Sequence, residues 1–221
     1  MKNYILTSMM MGAAFFSAVN AATTAGVAFE AGVGYSTSTT NGGLVIRDDS
    51  PTLSVSAEAP VSVGTAGVTL DLSRVSSNTE TDILISWGLT IKSIDTEVYF
   101  AKIDSSFGNW EEVGVSASYS FDWFDVGASL WHELGSNADY GMGLSVSRKF
   151  ETPVAGLTAE PFVTVNFADS YTALEAGVSA EYVISDGVSV VGRVSFGDND
   201  ADGGYALDND WAFSAGLNYK F

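Results

Sequence analysis

The amino-acid sequence predicts an all-β fold: a transmembrane antiparallel up-and-down β-barrel of 12 strands, with 10–14 as the limits of the count. Three observations lead there. Apolar and polar residues alternate with a period of two from Val27 to Phe221, the pattern of strands with one apolar and one polar face. Beyond the first 21 residues no apolar run approaches the roughly 20 residues a spanning helix needs, although 46% of the chain is hydrophobic. The connections between the alternating segments are by turns short and long, as in bacterial barrels.

The beginning of the chain is set apart. Lys2 supplies a positive charge, Ile5 to Phe16 form a short apolar stretch interrupted by Thr7 and Ser8, and Val19-Asn20-Ala21 offer a cleavage site. This layout predicts a secretory signal peptide over 1–21, leaving 22–221 as a single outer-membrane barrel domain. The chain has a net charge of −18, and losing Lys2 makes the remainder more negative still. Nucleic acid is excluded as a partner, because binding it requires Lys and Arg on phosphates. The absence of Cys rules out disulfides and thiolate metal sites.

Twelve apolar faces follow in order. The first is Val27, Phe29, Ala31, Val33 and Tyr35, backed by Ala28, Glu30, Gly32, Gly34 and Ser36. Then come Leu53 to Ala59, Val68 to Leu72, Ile83 to Ile91, Ile94 to Phe100, Val113 to Phe121 and Phe124 to Leu130. Tyr140 to Val146, Leu157 to Phe167, Leu174 to Tyr182 and Val188 to Phe196 lead to the last, Trp211 to Phe221. Val68 to Leu72 and Ile94 to Phe100 are the two weakest. Ala66-Gly67, Lys92-Ser93, Asp122-Trp123 and Ser185-Asp186-Gly187 read as tight turns, and Glu151-Thr152-Pro153 as a slightly longer one; the longest loops are Ser38 to Ser50 and Gly197 to Asp210. With both termini in the periplasm, the short turns fall there and the long loops outside.

The aromatics supply a second test, since lipid-facing rings gather at the two interfaces. Phe121, Trp123, Phe124, Phe150, Tyr182, Tyr219 and Phe221 fall near the predicted periplasmic rim. Tyr35, Trp110, Tyr140, Phe167, Phe196, Trp211 and Phe213 fall near the outer one, with Trp87 and Phe100 closer to mid-strand. A soluble β-sandwich would share the alternation. Its polar faces, however, would gain little from the Gly and Ser that dominate here, and only a closed sheet leaves no edge in lipid.

The last residues, Leu217-Asn218-Tyr219-Lys220-Phe221, resemble the C-terminal signature of outer-membrane barrels. The resemblance implies recognition of Leu217, Tyr219 and Phe221 by the barrel-assembly machinery. Gly34-Tyr35-Ser36, Asp49-Ser50-Pro51-Thr52-Leu53, Glu80-Thr81-Asp82 and the acidic Gly197 to Asp202 are similar to segments of the small porins called the TorF-like family. Ser36-Thr37 stands where those porins commonly carry Arg-Gly.

Function is then read from the inward face. Barrels of about eight strands are filled by side chains, whereas sixteen to eighteen leave a channel; twelve lies between. Inward positions are largely small, among them Gly32, Gly34, Ser54, Ser56, Ser86, Gly88, Gly114, Ser116, Gly141, Gly143 and Gly177, which predicts room for water. Glu30, Glu58, Asp71, Glu97, Asp125, Glu160 and Glu181 are expected to line the pore, clustered toward the periplasmic half, with Arg193, Lys149 and Lys220 as the inward bases. Acids in such excess predict a passive porin-like channel for small solutes or ions that prefers cations. A role in stabilising the wall by pairing cannot absorb seven acids with three bases.

Three other readings are weaker. Asp198, Asp200 and Asp202, followed by Gly203, match the first half of a calcium loop, but Asn209 stands where a bidentate Glu belongs, so a solvated acidic loop is favoured. His132, the only histidine, has outward parity. Outer-membrane phospholipases look similar in strand count and use a His with a Ser two residues on; here Leu134 holds that place and Ser136 is the nearest Ser, so neither a lipid-modifying enzyme nor any cofactor is expected. A structural or adhesive barrel would need partner-binding outer loops, and most here are short. Lipid of the outer membrane, the assembly machinery and small solutes are the expected partners.

Overall fold

The computed structural model describes residues 26–221 apart from 38, 42–43, 47–49, 76–77, 106–107, 136–138, 170, 201–205 and 208; the expected leader, 1–21, lies outside the described residues. Every element among them is a strand. Twelve long strands make the wall: β1 (Ala28–Ser36), β2 (Ser50–Pro60), β3 (Thr65–Val75), β4 (Asn78–Ile91), β5 (Ile94–Ser105), β6 (Gly108–Ser120), β7 (Asp125–Leu134), β8 (Tyr140–Ser147), β9 (Leu157–Ala168), β10 (Thr172–Ser185), β11 (Val188–Asn199) and β12 (Asn209–Lys220). Each pairs antiparallel with the next. The ring closes where β1 meets β12, from Glu30 opposite Lys220 to Ser36 opposite Ser214. A closed sheet has no unpaired edge.

The alternation in the sequence is the inside–outside alternation of the wall. Along β8, for example, Tyr140, Met142, Leu144 and Val146 are exposed on the outer surface while Gly141, Gly143, Ser145 and Ser147 turn inward. The two segments with the weakest pattern, in β3 and β5, are full strands with unbroken ladders to both neighbours.

One turn lies elsewhere than expected. Ala66 and Gly67 belong to β3, opposite Ala59 and Glu58, and the chain reverses instead over 61–64. There the Val61 amide donates to the Gly64 carbonyl (3.1 Å), and Gly64 takes φ +85°, a conformation that glycine adopts without a Cβ penalty. The remaining tight turns fall at Lys92-Ser93, Asp122-Trp123 and Asp186-Gly187, as read from the sequence.

The β8–β9 ladder runs from Gly141–Ala168 to Ser147–Phe162 and then breaks, resuming as Phe150 and Glu151 opposite Ala159 and Thr158. Pro161 explains the break. Its carbonyl accepts from the Arg148 amide, so its ring nitrogen faces β8 without a hydrogen to donate.

At the end of the barrel opposite the tight turns, short strands Thr39–Asn41, Leu44–Ile46 and Ala206–Leu207 form a separate three-stranded sheet. The middle one lies against β10, β11 and β12. On those wall strands the inward Ala173, Glu175, Ser195 and Ala212 are buried, while the outward Leu174, Phe196, Trp211 and Phe213 stay exposed. The small sheet therefore covers the inner side of the wall.

Candidate functional site: the barrel interior

Glu30, Glu58, Asp71, Glu97, Asp125, Glu160 and Glu181 all occupy positions of the inner face, half-buried and across from other inward residues. Six of them stand in the half nearer the tight turns. Asp71 does not: it is past the midpoint of β3, directly opposite Asp82 of β4.

Further inward acids accompany them. The parity of Ile83 and Ile85 places Glu80 and Asp82 inside, that of Val113 places Glu112, and that of Leu174 and Ala176 places Glu175. Asp95, Glu133 and Asp210 join them. The signal was in the strands' own alternation. With these residues the acids reach both halves of the interior, whereas the seven expected ones, Asp71 apart, keep to the half nearer the tight turns.

The three inward bases are all engaged. Lys220 Nζ stands 3.5 Å from Glu30 Oε2, Lys149 Nζ 3.9 Å from Glu181 Oε2, and Arg193 Nη2 2.5 Å from Glu175 Oε1. The last pair differs from the others in its surroundings: the side chains of Arg193 and Glu175 are 11% and 3% exposed, against a third or more for the other two pairs. The Arg193 guanidinium also lies 4.0 Å over the ring of Phe162, a face that attracts cations. Every base belongs to the β8–β12 side. The inner face of β2–β7 carries Glu58, Asp71, Glu80, Asp82, Asp95, Glu97, Glu112, Asp125 and Glu133, and no Lys or Arg among its described side chains.

Small inward residues do not all mark open space. A Cβ on Gly114 would collide with the ring of Tyr99, one on Gly141 with Trp131, and one on Gly177 with Phe162 and the Val194 carbonyl. These glycines seat bulky neighbours from adjacent strands, the large-against-small filling of narrow barrels. Tyr99 also donates its hydroxyl to Glu112 Oε1 at 2.5 Å. Ile103 and Ala101 are wholly buried and Trp131 nearly so. The loop-side half is thus much fuller than its glycine content suggests. The turn-side half keeps its carboxylates half-exposed.

Most of the described aromatics lie on the outer surface. Phe121, Trp123, Phe124, Tyr182, Tyr219 and Phe221 are exposed at one end, and Tyr35, Tyr140, Phe167, Trp211 and Phe213 at the other; the side chain of Trp110 lies outside the described ones. Trp87 joins the first group instead of standing at mid-strand, since its indole N–H donates to the Val63 carbonyl of the tight turn (2.8 Å). Leu217, Tyr219 and Phe221 face outward. Tyr219 and Phe221 pack edge to face at 4.4 Å, and the Phe221 amide donates to the Phe29 carbonyl at 3.0 Å.

His132 is exposed on the outer face, opposite Tyr140 and Val113, and Ser136 lies outside the described residues. Asp198 is the last residue but one of β11 and has outward parity, the Asp200 carboxylate accepts from the Thr172 amide, and Asp202 lies outside the described residues. Among those described, no cluster of three or more metal-type ligands occurs.

By sequence, the chain matches no family model and no curated protein. By structure it resembles the KdgM porin with a TM-score of 0.61 at 11% identity, over 88% of this chain and 99% of that one. The same porin in complex with disordered oligogalacturonate gives 0.61 at 12% identity, with the same coverage. A structure from work on in-meso crystallization of membrane proteins gives 0.55 at 11%, over 87% and 84% of the two chains. The architecture is that of a porin-like closed barrel of twelve strands.

Proposed function

We propose that the chain is a passive channel of the outer membrane that admits small hydrated solutes and prefers cations. An apolar belt around a closed sheet is a surface that a bilayer solvates and water does not. The aromatic bands at the two ends of that belt support the same placement, and so does the likeness in fold to a porin. In this reading the tight turns face the periplasm, the long loops face outward, and Leu217, Tyr219 and Phe221 present the strand that the assembly machinery receives.

The single observation that carries the cation preference is the excess of carboxylates on the inner face over bases that are already engaged. Fixed negative charge in a narrow aqueous path concentrates cations and repels anions. An acidic oligosaccharide, the ligand of the structurally similar porin complex, would meet an unfavourable field here. Planar-bilayer recording under a potassium chloride gradient tests the reading. A reversal potential of the sign set by potassium is expected, and one set by chloride would overturn the preference.

A second reading, a barrel that conducts nothing and serves the membrane structurally, draws support from the buried loop-side interior around Ile103 and Trp131. In the same recordings it predicts a silent bilayer although the protein is folded and inserted.

A further inference from the structure

The filling of the loop-side half is uneven around the ring. Each of β5 to β12 has at least one buried inward residue there, Ile103, Glu112, Trp131 and Asn166 among them. β2, β3 and β4 have none among their described side chains in that half; Thr69, their one buried inward residue, sits on the turn side of the midpoint of β3. Thr52 is exposed, and Ser54, Asp71, Ser73 and Asp82 are half-buried. The small inner sheet lies against a different sector, β10 to β12.

Charge follows the same division. On the covered sector Arg193 and Glu175 neutralise one another. On the open sector Asp71 and Asp82 face each other across neighbouring strands. The Ser54 hydroxyl bonds Asp71, while one Asp82 carboxylate oxygen is buried without a hydrogen-bond partner and the rest of the side chain is half-buried. Two carboxylates side by side repel unless a cation or a shared proton comes between them.

We propose that the route through the loop-side half is a crescent along β2–β4, and that Asp71 with Asp82 sets its selectivity for cations. The proposal rests on the channel reading above and names the residues and sector responsible. A solute that passes must shed part of its hydration against Asp71, Asp82 and the hydroxyls of Thr52, Ser54 and Ser73. Small monovalent cations and slender organic ammonium ions suit that edge; bulky anions do not.

The test has two arms on the full-length protein, with folding of each variant verified by its gel-mobility shift on heating. In the first, Asp71→Asn with Asp82→Asn is recorded under a salt gradient beside wild type and an outer-face control, Glu111→Gln. Loss of the cation-signed reversal potential in the double variant alone is expected. An unchanged potential overturns the filter, and a wild type that passes no current sinks the channel reading and the filter with it. The second arm needs no current. The chain has no Cys, so Ser73→Cys, Thr52→Cys and Ser195→Cys each give one thiol for a water-soluble cationic thiosulfonate. Fast labelling at 73 or 52 and none at 195 is expected. Labelling at 195 that outpaces both places the route on the wrong wall.

Discussion

Replacing Glu175 by Gln removes one charge from the most deeply placed ion pair while keeping its shape and an acceptor. At an effective dielectric of about 20, unit charges 2.5 Å apart attract by roughly 6–7 kcal/mol. Most of that is offset in the folded state by the cost of taking both groups out of water. Removing one partner is different, because the other charge stays buried without compensation, and such changes cost about 3–5 kcal/mol. Arg193 keeps its seat over Phe162, which retains about 1 kcal/mol, so the expected loss is about 3 kcal/mol. Urea unfolding from lipid vesicles, followed by tryptophan fluorescence and the gel-mobility shift, measures it. Arg193→Met should cost a similar amount, and the double variant should recover much of either loss. A Glu175→Gln protein within about 1 kcal/mol of wild type, or a double variant whose losses simply add, would show that the pair behaves like a surface one and refute the account.

Three further outcomes follow from the same geometry. Gly114→Leu should destabilise the barrel by about 1–3 kcal/mol through overpacking, and Tyr99→Ala on the same chain should relieve it; urea midpoints of the single and double variants decide. Lys149→Gln, at a half-exposed pair with Glu181, should change stability by less than about 1 kcal/mol yet raise the potassium-over-chloride preference in bilayer recordings. Phe221→Ala should refold in detergent as wild type does but accumulate less in outer-membrane fractions, because it touches the sequence taken as the assembly signal; equal accumulation removes that role.

The wall was legible in the sequence because its two solvents are so unlike. One side must be apolar at every second residue, and a slip of one residue would exchange the faces. Hence even the weak segments at Val68 to Leu72 and Ile94 to Phe100 held their place as strands. The interior was only partly legible. Glu112 and Glu175 had readable parity, but nothing local tells that Tyr99 lies beside Gly114 or Trp131 beside Gly141. Those meetings depend on which residues stand opposite, which is a property of two strands at once. The misplaced turn has a similar origin: Gly67 resembles a turn glycine, yet it sits in the ladder, where a Cβ would crowd Ser86 Oγ, and Gly64 is the one that bends.

The ladder between the first and last strands has one more consequence. Once the ring has shut, β1 and β12 are neighbours like any other pair. Tying Phe221 to Gly26 with a short flexible linker and cutting the chain beside Tyr171 would leave the cyclic order of strands untouched. A circular permutant of this kind should settle into the same cylinder, its two new ends emerging on the face where the long loops lie.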